Sequence, residues 1–354
     1  MIQSIMAATL PYRGKRGGYA LQRIGPNKAA WILITCVMIC AAGATPISEI
    51  TRIYGESSLL STGATPCQSP PCPRIVHPKR MGTAVTLQVI GLCRFSYPAI
   101  GGFQVEHETI EERIAYLYEH TRLEERFRLM EAVALPCIKA QTDPDFELII
   151  VIGDQLPKHH RDRLNDITSD IPQIRIVQEP PRPQREVMKE ILNKARRDPS
   201  EPCLQFRHDD DDAFAIDFIE RLRAASDDAQ ALTAQHKAVN FDWNKGHVAE
   251  FGPNGIASTD IFRQLYPAAM GMQIRGNSPL TIMNFAHEKI ARFMPVVSYA
   301  DPPMFVRSHN GSNDSRQKQV KAVPVKPVNF EQAEMYRERF AIDIDHVQRV
   351  FKDA

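Results

Sequence analysis

Four successive carboxylates, Asp209, Asp210, Asp211 and Asp212, follow the apolar run Cys203-Leu204-Gln205-Phe206 after only Arg207 and His208. Like charges at this density repel, and a desolvated carboxylate without a partner costs roughly several kcal/mol, so a cation is expected against the cluster. Mg²⁺ or Mn²⁺, held by one or two carboxylates with waters and substrate phosphates completing the shell, is the arrangement that hard cations favour. The competing reading is an acidic turn capping a helix that starts near Ala213, since Asp is favoured at helix N-termini. On repulsion alone, removing one or two of the four is expected to leave stability unchanged or slightly raised. His208, beside them, is a ligand or a structural neighbour.

Other side chains have the chemistry to assist such a site. Arg94 ends an apolar run and suits a phosphate, while Phe95 and Tyr97 after it either stack on a base or fill the core. Arg182 and Arg185, in and just after the Pro180-Pro181-Arg182-Pro183 stretch, have the reach for a diphosphate.

These residues need a scaffold that brings strand ends together. From residue 84 apolar β-rich runs alternate with amphipathic stretches, which predicts βαβ units and a mainly parallel sheet. Strands are expected over 84–95, 146–152, 174–177 and 203–207, and helices over 123–139, 186–197 and 214–225, with Pro136 bending the end of the first. The run Phe146 to Ile152 is apolar on both faces, as a central parallel strand must be. In such sheets ligands bind outside the carboxyl ends of the strands, which is where the aspartates fall.

Composition narrows the partners. Lys plus Arg number 43 and Asp plus Glu 42, and a net charge of +1 argues against a nucleic-acid partner. The seven cysteines lack zinc-site spacing or disulfide density, which suits free thiols in a reducing compartment, with Cys93, Cys137 and Cys203 as small core residues. No dinucleotide fingerprint, Walker loop or nucleophile elbow is present.

Residues 1–80 read differently. A basic opening precedes the apolar run 29–44, shorter than the roughly 20 residues of a spanning helix but suited to a signal peptide or marginal anchor. Pro-, Ser- and Gly-rich sequence to residue 80 then reads as linker. An over-extended translational start, with the working protein beginning at Met81, is an equal reading. The organisation expected is a leader over 1–80 and an enzyme domain over 81–354, cytoplasmic, or membrane-associated through 29–44.

The stretch Phe206-Arg207-His208-Asp209-Asp210-Asp211-Asp212-Ala213 resembles the DxD region of GT-A glycosyltransferases, and more closely the bacterial rhamnosyltransferase family. Leu135-Pro136-Cys137-Ile138-Lys139-Ala140-Gln141-Thr142-Asp143-Pro144-Asp145-Phe146 and Asp154-Gln155-Leu156-Pro157 support it as the family's helix-to-strand passage and the turn after the next strand. The resemblance runs from about residue 86 to about 340. It implies a GT-A α/β fold, a central mainly parallel sheet with flanking helices, and metal-dependent sugar transfer from a nucleotide-sugar donor to a glycan or lipid-linked acceptor. It admits a peripheral contact with the inner membrane face.

Donor contacts are then expected at Arg94, Asp154, Arg182, Arg185, Asp209 and Asp210. The metal is expected at Asp210, Asp211 and Asp212, with His309 completing the site from the turn-forming cluster Ser308 to Asp314; a plain turn is the alternative there. If the transfer inverts the anomeric centre, a base must take the acceptor proton, and His287 with Glu288 is the pair placed for it, against the plainer reading of a helix N-terminal acid. Two other classes remain open: an aspartate-dependent phosphohydrolase, which fits poorly because three strands precede the cluster, and a non-catalytic carbohydrate- or cation-binding protein.

Overall fold

A computed structural model describes residues 11–13, 19–21, 86–101, 107–310 and 323–352. The chain divides into two units, Met1–Met81 and Gly82–Ala354. In the first, Pro11–Arg13 pairs antiparallel with Tyr19–Leu21. The apolar run 29–44 and the linker-like stretch lie outside the described residues. Among those described, no helix is long and apolar enough to cross a membrane.

The second unit is built on a seven-stranded sheet. Strands β1 (Gln88–Arg94), β2 (Glu147–Gly153), β3 (Ile174–Glu179) and β4 (Cys203–Asp209) are all parallel, in the spatial order β3-β2-β1-β4. Central strands β1 and β2 are buried along their middles on both faces, as continuous Val/Ile/Leu runs require. A five-stranded sheet begins with β5 (Ala213–Phe214) and includes β7 (Lys245–Gly252) and β8 (Gly255–Phe262). Between them in the chain, β6 (Ala238–Trp243) joins the large sheet, which β9 (Met270–Ile274) extends antiparallel to β4 and β10 (Val296–Tyr299) completes. The small sheet is closed by β11 (Phe305–Ser308), which pairs with both β5 and β7, and by β12 (Lys326–Pro327). This is the mixed, mainly parallel α/β architecture expected of a GT-A chain.

Helices cover the large sheet. Ile110–Leu117 (α1) and His120–Leu129 (α2) precede a π-helical turn over Met130–Ala134 and a last helical segment, Leu135–Lys139 (α3). The expected helix is therefore continuous but changes register just before Pro136, whose missing N–H breaks the i→i−4 ladder there. Lys158–Thr168 (α4) and Gln184–Lys194 (α5) follow β2 and β3.

One expectation fails in a way that bears on the site. Ala213 and Phe214 are not the start of a helix: they form β5, paired with Val306 and Phe305, and the next helix spans Phe218–Asp228. The aspartates cap no helix at Ala213. They form a turn between the two sheets.

Beneath that turn, β1 and β4 are held at their observed spacing by Gly91. A Cβ there would overlap the Phe206 ring, 2.6 Å from Cε2 and closer still to Cζ, and would lie 2.7 Å from Leu148 Cδ1. Overpacking of this kind costs about 1–3 kcal/mol. Gly91→Ala is expected to lower the urea midpoint by a corresponding amount without changing the slope, and an unchanged midpoint would show that the β1–β4 interface yields freely.

Candidate functional site

The carboxyl ends of β1 and β4 define the site. Arg94 is the register partner of Asp209 on the adjacent parallel strand, so the two side chains share one face of the sheet, with Arg207 two residues back along β4 on that face. The loop after β1 is knitted to the loop after β3: Ile100 N–H donates to Arg182 O at 2.9 Å and Gln184 N–H to Ile100 O at 3.2 Å. Tyr97 Oη donates to Pro180 O at 2.7 Å. These bonds bring the start of α5 alongside β1, where the Gln184 amide oxygen accepts from Arg94 Nη1 at 2.7 Å once the amide is oriented to satisfy both its groups. Phe95 and Tyr97 are core residues, 0% and 2% exposed.

The aspartate turn is held by two arginines and the end of β11. Arg126 of α2 donates from Nε to Asp210 Oδ2 at 2.9 Å and from Nη2 to Asp210 Oδ1. Its Nη1 lies 3.7 Å from Asp211. On the other side, Arg307 Nη1 donates to Asp209 Oδ2 at 2.9 Å and to Asp212 Oδ2 at 2.5 Å. The Ser308 backbone N–H donates to Asp212 Oδ1 at 3.0 Å, and Asn310 Nδ2 to Asp211 Oδ2 at 2.9 Å.

The charges are divided unevenly. Burial works to raise the Asp209 carboxyl, but Arg307, Arg207 and Arg94 outweigh it and hold that group well below the usual range. Burial pushes Asp212 well above that range, Asp211 and Asp209 adding to it against Arg307. The two differ although they share one guanidinium, because Asp209 faces three arginines whereas Asp212 faces one and two like charges. Arg307, despite burial, stays protonated under Asp212, Asp211 and Asp209. Burial lowers Arg207, with Arg94, Arg307 and Arg185 adding to it against Asp209. Arginines from four separate segments, β1, α5, β4 and β11, thus gather here: Arg94, Arg207 and Arg307 act on Asp209, and Arg185 acts on Arg207.

One oxygen each from Asp209, Asp211 and Asp212 lie within 4.8 Å of one another. This all-oxygen set suits Mg²⁺ or Mn²⁺ better than a soft ion. Asp210, expected among the ligands, is instead turned into its pair with Arg126, and Asp209 stands in the set. His309 lies beside the turn, but its ring is oriented toward Glu250 at 3.9 Å, while its neighbours Ser308 and Asn310 make the contacts. Residues 311–314 of that cluster lie outside the described residues. His208 is 2% exposed, edge-on to Phe214 at 4.7 Å, with neither ring nitrogen hydrogen-bonded; burial lowers it to about 4, against Asp209 and Asp211.

The remaining expected residues separate. Arg185 belongs to the arginine group, whereas Arg182 bonds to Glu190 at 2.8 Å and faces Glu179 at 3.5 Å. Asp154 is exposed beyond β2, where its charge acts on Tyr97 and Tyr118. His287 and Glu288 open a 3-10 turn, His287–Arg292. His287 Nδ1 is 2.8 Å from Leu265 O, a geometry that requires Nδ1 to carry the proton and leaves the Nε2 lone pair free. Leu265 is itself fixed in a left-handed conformation, φ 54°, with its N–H donating to Asp242 Oδ1 at 2.9 Å. Burial lowers His287 against the hydrogen bond to Leu265 O, with Arg207 adding to the lowering.

Arg126, Arg207, Arg307 and Tyr266 were missed from sequence. Tyr266 is raised by burial and feels Arg307, Asp212 and Asp209. Arg207 sits at a two-residue strand spacing from Asp209, and Arg126 lies three residues after the core residue Leu123 on the apolar face of α2. Both spacings were readable signals. Gln141 and Asp143 of the helix-to-strand passage prove to be supports. Gln141 Nε2 donates to Ala215 O at 3.0 Å and its Oε1 accepts from Ile219 N–H at 3.1 Å, while Asp143 accepts from Arg223 Nε at 2.7 Å.

The family model described as “Putative rhamnosyl transferase” matches residues 88–322. No curated protein matches the chain. Similar solved structures include “Crystal structure of S. aureus TarS 1-349 in complex with UDP-GlcNAc”, with 10% identity, 66% of this chain and 62% of that chain covered, and a TM-score of 0.34. Another is “Crystal structure of putative nucleotide-diphospho-sugar transferase from Desulfovibrio desulfuricans G20”, with 12% identity, coverage of 75% and 94%, and a TM-score of 0.32. The chain spans about three fifths of the length of the TarS 1-349 chains it matches, 60% to 62%.

Proposed function

Because the chain belongs to the “Putative rhamnosyl transferase” family, we propose that it transfers a sugar, rhamnose being the family's implied donor group, from a nucleoside-diphosphate sugar to an acceptor hydroxyl on a glycan or lipid-linked chain. The observation that carries this reading is the convergence of Arg94, Arg207 and Arg307 on Asp209, with Arg185 acting on Arg207, beside the oxygen set of Asp209, Asp211 and Asp212. Guanidinium groups gathered at the carboxyl ends of parallel strands, beside an oxygen set for a divalent ion, suit a diphosphate. Bound Mg²⁺ or Mn²⁺ would be held by Asp209, Asp211 and Asp212 and would neutralise charge on the departing nucleoside diphosphate.

The chain's own groups supply the rest. The bond between the anomeric carbon and the diphosphate oxygen breaks as the acceptor oxygen bonds to that carbon. Negative charge grows on the diphosphate, where the preorganised guanidinium groups stabilise it. The acceptor proton passes to His287 Nε2, whose availability follows from the Nδ1–H bond to Leu265 O. Glu288, next along the 3-10 turn, favours the charged imidazole as it forms.

A panel of nucleotide-sugars assayed with Mn²⁺, for thermal stabilisation and for nucleoside-diphosphate release, tests the reading. At least one is expected to do both; a panel in which none binds or turns over rules the proposal out. The base assignment has its own test. His287 is lowered from 6.5 by burial, so its neutral, proton-accepting form persists below that pH. The acid limb of kcat is therefore expected below pH 6.5. His287→Gln is expected to cut kcat about 10²–10⁴-fold and abolish that limb. A limb that stays in place in the variant assigns the base elsewhere.

A further inference from the structure

Away from the aspartate turn, three metal-ligating side chains meet between α2 and α4. His120 and Glu124 are four residues apart at the start of α2 and so lie on one helical face, and His160 is the third residue of α4. One donor atom from each lies within 4.8 Å of the other two. We propose that His120, Glu124 and His160 form a second cation site, of the two-histidine, one-carboxylate zinc class, bridging α2 to α4.

The donor chemistry separates this site from the first. Two imidazole nitrogens and one carboxylate select Zn²⁺ over Mg²⁺ or Mn²⁺, whereas the aspartate set is oxygen alone. Ligand bonds of about 2.0–2.2 Å place tetrahedral donors roughly 3.4 Å apart, so the observed spread closes by small side-chain rotations at the helix ends. His160 is 5% exposed and its ring stacks on Phe127 at 5.5 Å, while His120 is exposed. The site is thus walled on one side and open on the other, where water can take the fourth position. Glu124 is oriented from outside by Arg163 Nη1, 3.0 and 2.8 Å from its two oxygens, and the Arg163 guanidinium is seated over Phe127 at 4.4 Å. Outer partners of this kind hold a ligating carboxylate in position, and a carboxylate keeps lone pairs for an ion beyond two such bonds. The same helix carries Arg126, which anchors Asp210, so an ion here would brace the helix on which the aspartate turn depends.

The test is Zn²⁺ titration of the full chain against a competing chelator, with Co²⁺ absorption to report tetrahedral coordination. One Zn²⁺ equivalent is expected to survive in an Asp211→Asn, Asp212→Asn variant. Its affinity should fall at least about tenfold in His160→Ala and in His120→Ala, since loss of a ligand costs no less than loss of an outer partner. His120 is exposed, so its replacement leaves the core untouched and keeps the test decisive if His160→Ala folds poorly. Absence of Zn²⁺ uptake overturns the proposal. So does a Zn²⁺ equivalent kept by His120→Ala and lost with Asp211 and Asp212.

Discussion

Replacing Asp211 and Asp212 together with Asn is expected to lower kcat/KM for the nucleotide-sugar by about 10³–10⁵-fold, or roughly 4–7 kcal/mol at 1.4 kcal/mol per tenfold. Asp209, Asp211 and Asp212 supply the oxygen set, and the double variant leaves a single charged oxygen ligand. The loss should appear in turnover as well as binding, because the missing charge is needed most as the diphosphate departs. Mn²⁺-dependent thermal stabilisation by nucleotide should vanish in parallel. The fold is expected to hold: Arg307 keeps its 2.9 Å bond to Asp209, and an amide oxygen at position 212 still accepts from Ser308 N–H. A double variant that retains Mn²⁺-dependent turnover within tenfold of the parent would show that the turn binds no catalytic ion.

What the sequence revealed of this site follows from how far each feature depends on distant partners. The strands Gln88–Arg94, Glu147–Gly153 and Cys203–Asp209 were legible as apolar runs because central parallel strands are buried on both faces and need no partner to betray them. The aspartate turn was legible because it ends such a strand. Ala213–Phe214 was misread as helix because a two-residue strand has no period of its own; it exists only through its pairing with Phe305 and Val306. Arg307 was passed over for the same reason, since β11 delivers it to the turn from far along the chain. Asp210 was expected as a ligand from its place in the run of four and His309 from the resemblance and its turn-forming cluster, but side-chain direction differs at both: Asp210 points to α2, and the ring of His309 lies toward Glu250.

The expectation that removing aspartates would relieve repulsion at no cost treated the carboxylates as unpaired. Each of the four now has a cationic or hydrogen-bonding partner, and the partners differ in what they do. Arg307 joins Asp209 and Asp212 inside the proposed substrate site, whereas Arg126 holds Asp210, which lies outside the oxygen set. The turn therefore has a chemical side and a structural side, which meet at Asp211, 3.7 Å from Arg126 Nη1.

The structural side carries the largest expected effect on stability. Arg126 and Asp210 are 6% and 1% exposed at the side chain, bonded through two nitrogens and two oxygens. Arg126→Leu leaves a buried carboxylate without its cation, which costs about 3–5 kcal/mol. Asp210→Ala is expected to cost less, because Arg126 retains Asp211 at 3.7 Å. Replacing both, Arg126→Leu with Asp210→Leu, removes the stranded charge along with its partner, and exchanges of this kind in other proteins are neutral or stabilising. Urea unfolding of the four species therefore should give a double-mutant cycle in which the pair is strongly non-additive, with the double variant more stable than Arg126→Leu alone. Additive losses would show that the pair is not coupled, and an Arg126→Leu chain that unfolds at the parent midpoint would show that the turn is held from the Arg307 side alone.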